Sequence, residues 1–365
     1  MNYIEQLLSS MSLARGPDFR NRLALAPLTN LQSNDDGTLT EAEFNFLVTR
    51  ANAGFGMVMT CGATVNPLGK GYPRQLGVHS DRHLPGLERL AKALRQAGAV
   101  SSVQIMHSGS RAKPELIGTQ PVGVADDGAG VRALSTDEVD QVVEDFILAG
   151  LRAEKAGFDG VEVHAAHGYL LCEFLDRTRN HRLDRYGGSA EGRSRALMDI
   201  LSGLRERARP DFQIGVRLSP ERYGIDFTEI RELAQRIMLS ELCDYIDISC
   251  WDTFKEPDDP AFKGRPIMDW FAELARGKAR LGVAGKLTAG RNVLECLRHD
   301  ADFVFIGRGA ILHHDFPRRL AADPDFMSAT LPVSRAYLAE EGLGNHFIDY
   351  MATWAGFVAD EQRVT

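Results

Sequence analysis

The sequence predicts an α/β protein: a closed barrel of eight parallel strands, most of them followed by a helix. Three observations lead there. Short aliphatic runs recur eight times, helical-period stretches stopped by glycine separate most of them, and the polar residues able to do chemistry gather where the runs end. Alternating strand and helix is the pattern of a parallel sheet. Eight units favour closure, and such barrels keep their chemistry on the loops after the strands.

Residues 1–20 read as irregular around a Gly16-Pro17-Asp18 turn. Arg22 to Leu28 is the first strand-like run, with Thr29 and Asn30 at its exit, and Glu41 to Ala53 has helical spacing. Met57 to Thr60 is strand 2, and Leu84 to Ala97 is a helix closed by Gly98. Strand 3, Val100 to Met106, leads through His107 into a Gly- and Pro-rich excursion, Ser108 to Leu134, long enough to be functional. Ser135-Thr136-Asp137-Glu138 is a capping box that starts a helix to Ala156. Strand 4 follows, then a helix from Gly192 to Ala208, strand 5 (Gln213 to Leu218), a helix from Thr228 to Ser240 and strand 6 (Tyr245 to Cys250). A polar loop, Asp252 to Arg265, precedes a helix expected from Met268 to Leu281. Strand 7 (Val283 to Leu287), a helix (Arg291 to His299) and strand 8 (Phe303 to Ile306) complete the count. The reading is one domain, with the barrel at about 19–322 and a C-terminal extension at about 323–365.

Composition narrows the function classes. Hydrophobic content of 44% and charged content of 25% suit a soluble globular enzyme. A net charge of −8 argues against nucleic acid or an anionic membrane as partner. The five cysteines form no CxxC and no metal-ligand spacing, so they read as reduced thiols. No run approaches the ~18 apolar residues of a membrane span. A cytoplasmic protein is expected, with a homo-oligomer left open.

Strand 4 and its loop carry the densest chemistry, in FDGVEVHAAHGYLLCEFLDRTRNHRLDRYGGS. His164, His167 and Tyr169 fall within six residues and can hydrogen-bond and protonate one small polar group. Two adjacent strand ends, Gly285-Lys286-Leu287 and Gly307-Arg308-Gly309, read as phosphate seats, because glycine lets backbone N–H groups approach an anion and Arg308 adds a charge-assisted contact. Gln104 offers an amide to a pyrimidine-like edge, and Arg217 a positive charge. No GxGxxG opens a helix after a strand, so no dinucleotide-binding module is expected. HxxH as a zinc pair lacks an obvious third ligand, and His313 and His314 read as surface residues without partners.

The chain resembles the Old Yellow Enzyme family of FMN-dependent ene-reductases. The resemblance rests on NRLALAPLTN, Gln104-x-x-His107, HAAHGYLL, GVRLSP and FIGRGAIL, and spans roughly Phe19 to Phe316. It implies non-covalent FMN held by Pro27, Leu28, Thr29, Gly62, Gln104, Arg217, Gly285, Lys286, Gly307 and Arg308. It implies NAD(P)H as hydride donor and a small α,β-unsaturated carbonyl or nitro substrate. His164 and His167 would grip the substrate oxygen, Tyr169 would donate a proton to carbon, and Trp251 would shape the substrate mouth, with the loop to Arg265 as a lid. Ser110-Arg111 stands where many relatives have Gly-Arg, Thr29 resembles the plant and yeast type where the thermophilic-like bacterial subgroup has cysteine, and Leu31 stands where that subgroup has tyrosine. The aromatic segment Ser334 to Val358 either folds back on the barrel or lines a subunit contact. Two other functions stay open: a flavin-binding redox sensor without turnover, and a flavin-free lyase built on Lys286.

Overall fold

The computed structural model describes residues 2–359. The eight strands are β1 (Leu23–Leu25), β2 (Met57–Met59), β3 (Val100–Met106), β4 (Gly160–Ala165), β5 (Gln213–Leu218), β6 (Tyr245–Ser249), β7 (Arg280–Ala284) and β8 (Phe303–Ile306). Each pairs in parallel with the next, and β8 returns to β1 with Val304 opposite Leu23, so the sheet closes into a (β/α)8 barrel.

Period-2 alternation divides the apolar residues into two cores. Val161, Val163, Ile214, Val216, Ile246 and Ile248 face outward and pack with the surrounding helices. Ala24, Met57, Val100, Tyr245, Phe303 and Phe305 fill the barrel, joined by Met11, Leu13 and Phe19. Met11 and Phe19 pair as an antiparallel bridge, and Phe19 meets Phe303 edge-on at 5.6 Å, which plugs the end where the strands begin. The opposite end stays open for the site.

Several expectations are corrected. Residues 1–20 contain a helix, Tyr3–Leu8, because Asn2 and Glu5 form a reciprocal capping box. The first strand ends at Leu25, and Pro27, which has no N–H to give a ladder, carries the chain out of the barrel. The helix before β7 is only Ile267–Ala272; Gly277 turns the chain with φ +57°, and β7 begins at Arg280, earlier than expected. His313 is buried: its Nε2 accepts from the Ala329 N–H at 2.9 Å, and Tyr337 lies 3.2 Å from its Nδ1. His314 is held by Glu341 at 2.6 Å, so neither histidine is a free surface residue.

The loop expected to be a lid lies elsewhere. Lys255 pairs with Glu221 and Asp258, Phe262 stacks on Phe227, and Trp270 Nε1 donates to the Phe262 carbonyl at 3.1 Å, so the loop docks on the outer helices. The C-terminal segment supplies the cover instead. Helix Arg335–Glu340 packs beside the segment after β8, with Tyr337 Oη donating to the Leu312 carbonyl, and helix Asn345–Ala352 returns over the open end. They are anchored by Phe347 against Phe46, by Gly344 N–H on Gln32 Oε1 at 2.8 Å, and by buried Arg50 donating to the Glu341 carbonyl at 3.1 Å. The expected extension is described to residue 359; residues 360–365 lie outside the described residues.

Candidate active site

The open end holds a cavity of about 420 Å³. All fourteen residues singled out in the sequence line it: Pro27, Leu28, Thr29, Gly62, Gln104, His164, His167, Tyr169, Arg217, Trp251, Gly285, Lys286, Gly307 and Arg308. Tyr72, Met106 and Ser249 line it as well and were not anticipated, and Tyr350, Met351 and Trp354 join them from the aromatic C-terminal segment. Met106 and Ser249 were within reach of the alternation rule, each lying two residues beyond a polar inward position. The aromatic segment Ser334 to Val358 was expected either to fold back on the barrel or to line a subunit contact; helix Asn345–Ala352 does fold back, and tertiary packing decides which of its residues reach the mouth.

The histidine pair is built by backbone geometry. His167 sits in the left-handed region at φ +62°, and its N–H donates to Ser219 Oγ at 2.9 Å. The Ala166 N–H points at His164 Nδ1 at 3.2 Å, which makes that nitrogen the acceptor and places the ring proton on Nε2. His164 Nε2 lies 3.2 Å from His167 Nδ1, and His167 Nε2 lies 2.8 Å from Ser249 Oγ. One tautomer assignment satisfies the whole chain: His164 Nε2–H donates to His167, and His167 Nε2–H donates to Ser249. Burial, reinforced by the His167 and Arg217 charges, holds His164 well below the ordinary imidazole value. Burial and then the Arg217 and Arg111 charges bring His167 down to about 3. Both rings are therefore neutral N–H donors near neutral pH.

Tyr169 meets His164 edge-on at 5.2 Å, and the Arg111 guanidinium lies 5.8 Å over its ring. Burial raises the Tyr169 phenol, so it keeps its proton, while Arg111 pulls the other way. Three residues that line the cavity have positive φ: His167, Trp251 and Lys286. Left-handed non-glycine backbone is strained and collects at functional sites.

A flavin fits the opposite wall. Gln104 Nε2 donates to Glu162 Oε1 at 2.7 Å, which leaves the amide oxygen to accept from a ligand N–H. Arg217 Nε lies 2.9 Å from Asp247 Oδ2, and its Nη2 donates to Ser249 at 3.3 Å, so a fixed guanidinium edge stands beside Gln104. Gly62 is held down by Tyr72 and Gln75, which both donate to its carbonyl. A Cβ there would lie 2.2 Å from Met106 Sδ and 3.2 Å from Gln104 Oε1, so a side chain would collapse this wall. Gly307 is open, with Leu28 Cδ2 at 3.6 Å as the nearest atom to an added Cβ, and Arg308 has no ion-pair partner among the described residues. Lys286 pairs with Asp252 at 3.1 Å and its side chain is 49% exposed, unlike the desolvated lysine that a lyase would need.

Comparison with known proteins agrees with this geometry. Residues 15–324 match the model of the NADH:flavin oxidoreductase / NADH oxidase family. The chain is 37% identical over 314 residues to a probable NADH-dependent flavin oxidoreductase, YqiG, of Bacillus subtilis (strain 168), covering 83% of this chain and 84% of that one. Among solved structures, the old yellow enzyme homologue of Zymomonas mobilis superposes with a TM-score of 0.79 at 26% identity, over 94% of this chain and 99% of that one. A 2-naphthoyl-CoA reductase reaches a TM-score of 0.79 at 27% identity over 87% of this chain, but this chain spans only 52% of its length.

Proposed function

The chain belongs to the NADH:flavin oxidoreductase / NADH oxidase family, of the Old Yellow Enzyme type, and from that premise we propose that it reduces the activated C=C bond of small α,β-unsaturated carbonyl or nitro compounds. Its cofactor is FMN and its hydride donor is NAD(P)H. The observation that carries the reading is that His164, His167 and Tyr169 face the same cavity as Gln104 and Arg217.

Gln104, Arg217, Gly62 and the Pro27-Leu28-Thr29 segment would hold the FMN ring, with Gly285, Lys286, Gly307 and Arg308 at its phosphate. When bound, FMN supplies the hydride-transferring group. The rest falls to side chains of this protein. His164 and His167 donate N–H hydrogen bonds to the acceptor oxygen and stabilise the enolate charge that develops there. One such donor is worth about 3–4 kcal/mol in comparable sites. Because both N–H groups are engaged with His167 and Ser249 beforehand, the acceptor oxygen replaces existing hydrogen bonds and orders no loose side chain. Tyr169, a neutral phenol, protonates the α carbon. Tyr350 and Trp354 cover the mouth and limit water.

The test is a half-reaction experiment. The flavin absorbance should bleach anaerobically with NADPH or NADH and return with 2-cyclohexenone. Tyr169→Phe should leave the bleach unchanged and slow the return by about 10²–10⁴-fold. A bleach that only oxygen reverses would refute the acceptor class.

A further inference from the structure

Beneath the cavity, inside the barrel, lies a layer of charge with no role in the scheme above. Glu162 of β4 and Asp247 of β6 are 0% exposed and share one cation, Arg217 of β5. Facing Glu162 are Gln104 and Ser102 of β3, Arg217 of β5, and Tyr245 and Asp247 of β6, with His164 two residues along its own strand. Gln104 donates to one Glu162 oxygen at 2.7 Å. Tyr245 Oη is the other hydrogen-bonding neighbour of Glu162, and among the described residues neither Asp247 oxygen has a hydrogen bond of ordinary geometry.

Two carboxylates and one guanidinium leave one uncompensated negative charge in a fully buried layer, at a cost of several kcal/mol. A proton relieves it, as in carboxyl pairs that titrate together. The proton belongs on Glu162. Asp247 has Arg217 at 2.9 Å, whereas the directed contacts of Glu162 come from neutral groups, the Gln104 amide and the Tyr245 phenol. The electrostatics agree: burial and then the Asp247 charge push Glu162 upward, while Arg217 holds Asp247 back from the rise that burial imposes.

We propose that Glu162 is a proton store for the redox site: a neutral acid that leaves Asp247 as the one counter-charge to Arg217 beneath the flavin, and that binds its proton more tightly when reduction adds negative charge there. The inference rests on the flavin seat assigned to Gln104 and Arg217, and is independent of which alkene is reduced. The balance is simple. Hydride transfer from the nicotinamide brings two electrons and one proton to the site and adds one negative charge. At a pH where Glu162 is ionised in the oxidised protein, one solvent proton then joins its carboxylate, forming only an O–H bond, and reoxidation releases that proton to solvent. Glu162 is a positioning residue, acting through Arg217 and Gln104.

The experiment is a potentiometric titration of the FMN-loaded protein from about pH 6 to about pH 10, read as protons bound per two electrons. Wild type should pass from one proton to two in an alkaline segment, and Glu162→Gln, fixed in the neutral state, should stay at one throughout. A wild type that binds one proton at every pH, or a variant that keeps the two-proton segment, overturns the proposal. Arg217→Gln separates the two layers of the argument: a potential it does not move refutes the flavin seat, while a potential moved by Arg217→Gln with a proton count untouched by Glu162→Gln refutes the store alone. Should Glu162→Gln fail to fold, reduced-minus-oxidised infrared spectra of wild type with ¹³C-labelled glutamate decide. In the alkaline segment, a label-sensitive carboxylic acid band that grows on reduction supports the store, and its absence overturns it.

Discussion

Replacing His107 by Asn should remove about 2 kcal/mol of acid sensitivity from the fold. His107 follows β3 and is fully buried; its Nδ1 accepts from the Gly109 N–H at 3.0 Å, and its Nε2 has no hydrogen-bond partner among the described residues. Burial alone lowers it from 6.5 to about 3. Between those values the unfolded chain binds a proton that the folded chain refuses, so stability present above 6.5 is lost as pH falls toward 3. At about pH 5 the unfolded imidazole is nearly all protonated and the folded one nearly all neutral, and integration gives a loss of about 2 kcal/mol relative to about pH 8. That figure depends on the unfolded value and barely on the folded one, provided the latter stays below about 4. Asn keeps an acceptor for Gly109 and does not titrate. Urea unfolding of wild type and His107→Asn at both pH values isolates the effect, because Glu43 and Glu162, whose raised values act in the opposite direction, cancel in the difference. A difference between the two proteins that is equal at both pH values would refute the reasoning.

Three further outcomes follow from the packing. Gly215→Ala should destabilise by about 1–3 kcal/mol in urea unfolding, since its Cβ would lie 2.0 Å from Tyr245 Cζ and that ring is wedged against Phe303 at 5.6 Å; Tyr245→Leu in the same chain should restore part of the loss. Ser249→Ala removes the acceptor of the part-buried His167 Nε2–H at the cavity and should cost about 0.5–1.5 kcal/mol of stability by the same measurement. Trp354→Ala should raise KM for enones about fivefold, from roughly 1 kcal/mol of lost apolar contact, with the urea midpoint nearly unchanged because Trp354 is 40% exposed.

What could be read from the sequence follows the range over which each signal acts. Period-2 alternation and the Ser135–Glu138 capping box are local, and β3, β5 and β8 fall where the pattern put them. The errors arose where distant contacts decide. Arg276 donates to Asp302 and to the Asp300 and Ala272 carbonyls, which ends the helix before β7 in a turn that helical periodicity does not reveal. His313 looked free because its partners, Ala329 and Tyr337, lie 16 and 24 residues away. The site residues found in advance sit at strand ends. In the C-terminal segment, expected to fold back or to line a subunit contact, the residues that reach the cavity, Tyr350 and Trp354, are selected by Phe347 packing on Phe46 and Gly344 bonding to Gln32.

The inward positions of four neighbouring strands also explain why the site sits where it does. Climbing β6, the chain presents Tyr245, then Asp247, then Ser249; β4 presents Gly160, Glu162 and His164; β5 presents Gln213, Gly215 and Arg217; β3 presents Ser102, Gln104 and Met106. Pairing sets His164 beside Arg217, Arg217 beside Asp247 and Gln104 beside Glu162. Each strand therefore changes from filler to reactive group within three inward positions, and the change comes at a similar height around the barrel. A one-residue slip of any of these strands would put Val or Ile into the cavity and a charge against the outer helices. The hydrophobic pattern that closes the barrel is thus also what fixes the positions of the polar layer, the histidine pair and the mouth above them.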